Sequence, residues 1–257
     1  MKQLLLCEYR KTRRRYILLC ALAIIAALLL CSTYGDYSSE SGIFMLENGW
    51  MNFLYQLPML NTIFLPILCT VVASRLADVE HRAVSLKQLC AIADKGRLYD
   101  AKLLYGLGIV LLCVLIDWIG VIIFGICMGF GGMLPWDLYL LFLLFTAVTT
   151  VAVYVISHTL SLLFKNQTFA FFVGIIGTFV GLFSMFLPQV PLLRRCLPWG
   201  YYGALQLVGM YGWNPDTRYA DAYFAVMDID WPFFLVLVAM TLLLYMVGRK
   251  LFCIKEV

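Results

Sequence analysis

Six apolar runs, each long enough for a membrane helix, recur along the chain with short polar or charged segments between them. They cover Tyr16–Thr33, Leu57–Leu76, Leu103–Phe130, Leu138–Phe164, Thr168–Leu187 and Trp231–Gly248. About 20 apolar residues in a helix reach across the roughly 30 Å hydrocarbon core of a bilayer. Each run therefore predicts a span. Pro66 falls inside the second, which membrane helices tolerate because neighbouring groups satisfy the freed carbonyl. Residues 1–15 follow another pattern. Leu5, Tyr9, Thr12 and Tyr16 share a stripe at helical spacing, with Arg10, Arg13 and Arg14 away from it. That is the pattern of a helix lying in the membrane interface. No repeat or low-complexity linker interrupts the chain, so residues 1–257 read as one all-α membrane domain.

Composition agrees. Hydrophobic residues make up 63% and charged residues 13%, against about 25% charged in an ordinary soluble domain. The distribution of charge then orients the chain. Sixteen of the 19 Lys and Arg fall in the N-terminal segment, the segment from Arg75 to Lys102, Lys165, and the residues after the sixth run. The opposite side holds eight acids and only Arg194, Arg195 and Arg218. Basic loops stay cytoplasmic, so both termini are expected inside. The first run, with its basic leader, has the outline of a signal peptide. Its fifteen-residue leader and the bulky Leu30 before Cys31 argue against cleavage.

Three segments outside the runs, and one charge within them, are candidate functional elements. The Arg75–Lys102 segment mixes six basic residues with Asp78, Glu80, Asp94 and Asp100 around Val84, Leu86, Leu89 and Ile92. Apolar anchors with a mixed-charge rim suit docking onto another protein, whereas lipid alone favours a purely basic loop; the bland alternative is a solvated hairpin. The outer segment 188–232 contains WGYYGALQLVGMYGW, which is too short to span and too apolar for a free loop. It predicts a re-entrant or interfacial helix with Trp199, Tyr201, Tyr202, Tyr211 and Trp213 at headgroup level. The segment from Gly42 to Gln56, with Trp50, Phe53 and Tyr55, reads the same way. Asp117 lies deep in the third run. Counting from the cytoplasmic ends places it level with Thr150, so a hydrogen bond to Thr149 or Thr150, or a place in a wet polar path, is expected.

Several chemistries lack their residues. The nine cysteines form no CxxC pair and, with two distant histidines, His81 and His158, no zinc spacing. No phosphate-binding loop GxxxxGK[ST], HExxH or GxSxG motif occurs. No metal site, enzyme activity or nucleic-acid partner is expected of this chain.

Glu80-His81-Arg82-Ala83-Val84-Ser85-Leu86-Lys87-Gln88-Leu89, followed by Arg97-Leu98-Tyr99-Asp100-Ala101-Lys102-Leu103-Leu104, resembles the permease subunits of ABC-2 type ABC transporters. Within that family the chain is most similar to the short permeases of lantibiotic immunity and bacitracin-resistance exporters. It departs at Ala91-Ile92-Ala93, where many members carry a proline. The resemblance implies a coupling helix bearing Glu80, His81, Arg82, Ser85, Leu86, Lys87 and Leu89. That helix would sit in a groove of a separate ABC ATPase, which binds the ATP and Mg. It also implies a second permease, identical or a sister subunit, in a bacterial plasma membrane, and an amphipathic antimicrobial peptide as cargo. A peptide sensor or scaffold without transport, or an exporter of another lipophilic substrate, are the alternatives.

Overall fold

The computed structural model describes residues 2–13, 15–34, 40–82, 94–187, 196–214 and 221–255. In chain order the helices are α1 (Lys2–Thr12), α2 (Ile17–Thr33), α3 (Glu40–Glu47), α4 (Gly49–Arg82), α5 (Lys95–Met128), α6 (Trp136–Leu163) and α7 (Gln167–Phe186). A 3-10 turn (Pro198–Gly200), a one-turn helix α8 (Tyr201–Ala204), strands β1 (Val208–Tyr211) and β2 (Tyr223–Val226), and α9 (Trp231–Ile254) follow. Five helices (α4, α5, α6, α7 and α9) are long and apolar enough to cross a bilayer. A sixth span is reached if α1 and α2, bent at 74°, count as one. By itself α2 has 17 residues, about 25 Å at the helical rise.

Local sequence sets the helix ends. Asp94 caps α5 by accepting from the Gly96 N–H, Asn166 caps α7 by accepting from that of Thr168, and Asp230 caps α9 by accepting from that of Phe233. Gly129 closes α5 at φ 69°, a left-handed conformation that favours glycine.

The long α4 is the centre of the bundle, packed by α2, α5, α6 and α7, while α9 lies on α5 and α6. Buried Leu54, Leu65, Leu68, Val72, Tyr139, Tyr154 and Val153 fill the core. Helix α7 turns its small residues inward, with Gly174, Gly177, Thr178, Gly181 and Ser184 buried, and exposes Phe172, Phe179, Phe183 and Phe186. Small residues let membrane helices approach closely. A Cβ at Gly181 would lie 2.7 Å from the Trp199 carbonyl oxygen and 3.0 Å from Thr62 Cγ2.

Several expectations change here. The α4 and α5 helices each run 34 residues, about 51 Å, well past the bilayer core. Arg75–Arg82 and Lys95–Lys102 are thus helical extensions rather than loop. Beyond α8, the outer segment forms an antiparallel hairpin instead of a helix, with Val208 opposite Val226 and Tyr211 opposite Tyr223. Glycines at 209 and 212 disfavour helix by about 1 kcal/mol each, while valine, tyrosine and phenylalanine suit a pleated surface.

Trp199, Tyr201 and Tyr202 are buried against the bundle rather than at headgroup level, whereas Tyr211 and Trp213 are half exposed. Of the aromatics between Gly42 and Gln56, Trp50 and Phe53 are buried, edge-on or tilted to Phe130 at 5.2 Å and 5.3 Å. Tyr139 locks that cluster by donating its hydroxyl to the Trp50 carbonyl at 3.0 Å.

Candidate functional site

The first two turns of α5 gather charged groups from α1, α4 and α9. Lys102 is 1% exposed, and its ammonium donates to Glu8 Oε1 and Oε2 at 2.9 and 3.0 Å and to Glu80 Oε1 at 2.9 Å. Those three bonds use all three of its N–H donors. Lys11 adds a fourth charge, donating to Glu80 Oε1 at 2.9 Å. Two carboxylates and two ammoniums therefore balance. Balance is required, because an unpaired ion out of water costs several kcal/mol. Burial alone pushes the Lys11 ammonium down. The hydrogen bond and charge of Glu80, with the charge of Glu8, outweigh that and hold its pKa above the ordinary lysine value.

The same two turns reach the other helices. Tyr99 and Thr159 of α6 share a hydroxyl hydrogen bond at 2.8 Å. Asp100 accepts from Tyr245 at 2.9 Å and from Arg249 Nε at 3.1 Å, both on α9. Lys95 donates to the Lys255 carbonyl at 2.9 Å, and Lys255 donates to that of Leu163 at 2.8 Å. His158 is buried between the rings of Tyr99 and Tyr154. The helical period places Lys95, Tyr99 and Lys102 on neighbouring faces of α5, so one short stretch ties α1, α4, α6 and α9 together.

The network bears on the expected coupling residues unequally. Glu80 is turned inward and 1% exposed, so its carboxylate holds the end of α4 rather than standing on an exposed docking face. The reason is local: a lysine on α5 and another on α1 surround it. His81 and Arg82 form the last turn of α4, and Ser85, Leu86, Lys87 and Leu89 lie outside the described residues. Residues 83–93, outside the described residues, fall between Arg82, the end of α4, and Asp94, the cap of α5.

Sequence reading did not single out Glu8 and Lys11. Their signal was Glu8 itself, the lone acid among the basic residues of positions 1–15, spaced i,i+4 from Thr12. Glu8 and Thr12 are buried, and Thr12 Oγ1 lies 2.6 Å from the Tyr105 hydroxyl. The inward face of α1 is therefore Glu8 and Thr12, whereas Tyr9 and Tyr16 of the apolar stripe stay exposed.

Asp117 does not meet the threonines expected to satisfy it. Thr149 donates to the Phe145 carbonyl, and Thr150 donates to that of Thr146 and shares a 3.0 Å hydrogen bond with the Tyr202 hydroxyl. Threonine hydroxyls bond their own helix four residues back, which removes them as donors. Asp117 is buried on α5, and its Oδ1 has no hydrogen-bond partner among the described residues. Thr150 and Tyr202 instead join α6 to α8.

A family model described as "ABC-2 family transporter protein" matches residues 4–181. Neither a curated protein nor a solved structure matches the chain at a significant level.

Proposed function

The chain belongs to the ABC-2 family of transporter proteins, and from that premise we propose that it is the permease subunit of an ATP-driven exporter with six spans and both termini cytoplasmic. The family's membrane subunits are transport components rather than enzymes, and membership implies an ABC ATPase partner. The observation that carries the reading is the four-charge cluster of Glu8, Lys11, Glu80 and Lys102. It ties α4 and α5, the helices on either side of residues 83–93, to each other and to α1. A partner ATPase holding ATP and Mg takes that segment in its groove, with Leu86 and Leu89 as apolar anchors and Lys87 on the rim. Movement of the segment then reaches the membrane through α4 and α5 as rigid rods, with Glu80 as a positioning residue.

The transporter is completed by a second permease in the bacterial plasma membrane. Its cargo is an amphipathic antimicrobial peptide drawn from the outer leaflet past Tyr211 and Trp213. The exposed aromatic hairpin supports this, since tyrosine and tryptophan favour the headgroup layer. The test is co-expression with a candidate ABC ATPase. The expected result is a stable complex whose ATP hydrolysis rises with a lantibiotic-like peptide, and which Leu89→Asp splits without lowering the permease's melting temperature. A chain that purifies alone and exports peptide without ATP overturns the reading.

A further inference from the structure

A groove of about 560 Å³ runs between α1 and α5 at the bend into α2. Leu5, Tyr9 and Tyr16 line one side, and Leu104, Gly108 and Leu112 the other. Its size falls within the range of small-molecule sites, and like them it is mostly apolar. Arg13 also lines it and is exposed. Arg10 and Arg15 lie nearby, exposed as well, and none of the three pairs with an acid among the described residues. The groove is open at its floor: a Cβ on Gly108 would meet nothing within 4 Å.

We infer that this groove is a binding site for an anionic phospholipid of the inner leaflet, one acyl chain lying against α5 and the phosphate on Arg13. Two features select this occupant. The groove follows an interfacial helix at the level of cytoplasmic headgroups, where anionic lipid gathers around arginines. A second copy of this chain is the other apolar partner available, but it would bring a second set of Arg10, Arg13 and Arg15 against the first, and like charges repel. A phosphate complements them. Occupied, the groove seats α1 against α5 beside the Glu8–Lys102 bond, so lipid composition sets how firmly the ionic cluster is held.

The experiment is native mass spectrometry of the purified chain released from nanodiscs of equal phosphatidylglycerol and phosphatidylcholine. Wild type is expected to retain one phosphatidylglycerol. Gly108→Phe fills the groove from a position with open space, and is expected to lose the bound lipid while keeping its helicity and melting temperature. Arg13→Gln, a surface change, is expected to lower the preference for phosphatidylglycerol about fivefold. Retention of phosphatidylglycerol by folded Gly108→Phe overturns the site, and so does an unchanged preference in Arg13→Gln. Should Gly108→Phe misfold, the Arg13→Gln preference decides alone. A disulfide-linked dimer through Gly108→Cys in membranes overturns the proposal in favour of a second copy.

Discussion

The Lys102 ammonium stands 2.9 Å from Glu80 Oε1, joining α5 to α4, the helix on the other side of residues 83–93. Glu8 on α1 takes the ammonium's remaining two donors. Replacing Lys102 with methionine leaves Glu8 and Glu80 buried with one ammonium between them. Removing one partner of a buried pair costs about 3–5 kcal/mol. Lys102→Met is expected to lower the melting temperature in detergent sharply. Adding Glu8→Gln restores the balance, as Glu80 and Lys11 remain, and the double variant is expected to recover much of the loss. Additive losses in the double-mutant cycle would show that the groups do not act as a unit.

Lys11 gives the cluster a pH dependence of known sign. Its pKa is raised above the model-peptide value of 10.5. A raised lysine contributes stability that is fully present below the unfolded value and lost as pH rises through the folded one. The gap in melting temperature between wild type and Lys11→Met is expected to hold constant across neutral pH and to close only above about pH 10.5. A gap that closes between pH 6 and 8 would assign the titration to another group.

Asp117 is expected to tolerate asparagine. Its buried Oδ1 has no hydrogen-bond partner among the described residues, so Asp117→Asn breaks no bond there and removes a group costly to bury as an anion. Melting temperature should stay level or rise. Export of the proposed peptide cargo, measured beside it, separates two roles: lost export at full stability places Asp117 on a polar path, and unchanged export leaves it a packing group.

Helix α7 is expected to be intolerant at Gly181, where the Trp199 backbone and Thr62 leave no room for a side chain. Overpacking a core costs about 1–3 kcal/mol. Gly181→Leu should lower thermal stability by that amount, while Gly108→Ala, facing open space, should leave it unchanged. Equal effects at both glycines would contradict the observed α7–Trp199 packing.

The sequence alone settled the apolar helices, since a span must satisfy its backbone internally and so appears as a long uninterrupted run. Each of the runs from Leu57, Leu103, Leu138, Thr168 and Trp231 lies within a helix; those from Leu138 and Thr168 keep nearly their expected bounds, whereas the other three helices run well past theirs. The conspicuous charge pattern around Glu80 and Lys102 was legible too, although only as a segment. Which acid meets which lysine was not. Glu8 and Lys102 are 94 positions apart, and no local period links them; their contact depends on α1 folding back over α4 and α5. The outer aromatics show the same limit. Tryptophan and tyrosine suit an interface and a core equally well, and only the tertiary packing decided that Trp199 and Tyr202 go inward while Tyr211 and Trp213 stay out. Threonine 150 turned to Tyr202 rather than Asp117 for the same reason: partners in a bundle are chosen by how helices rotate against one another, which hydropathy along a chain does not record.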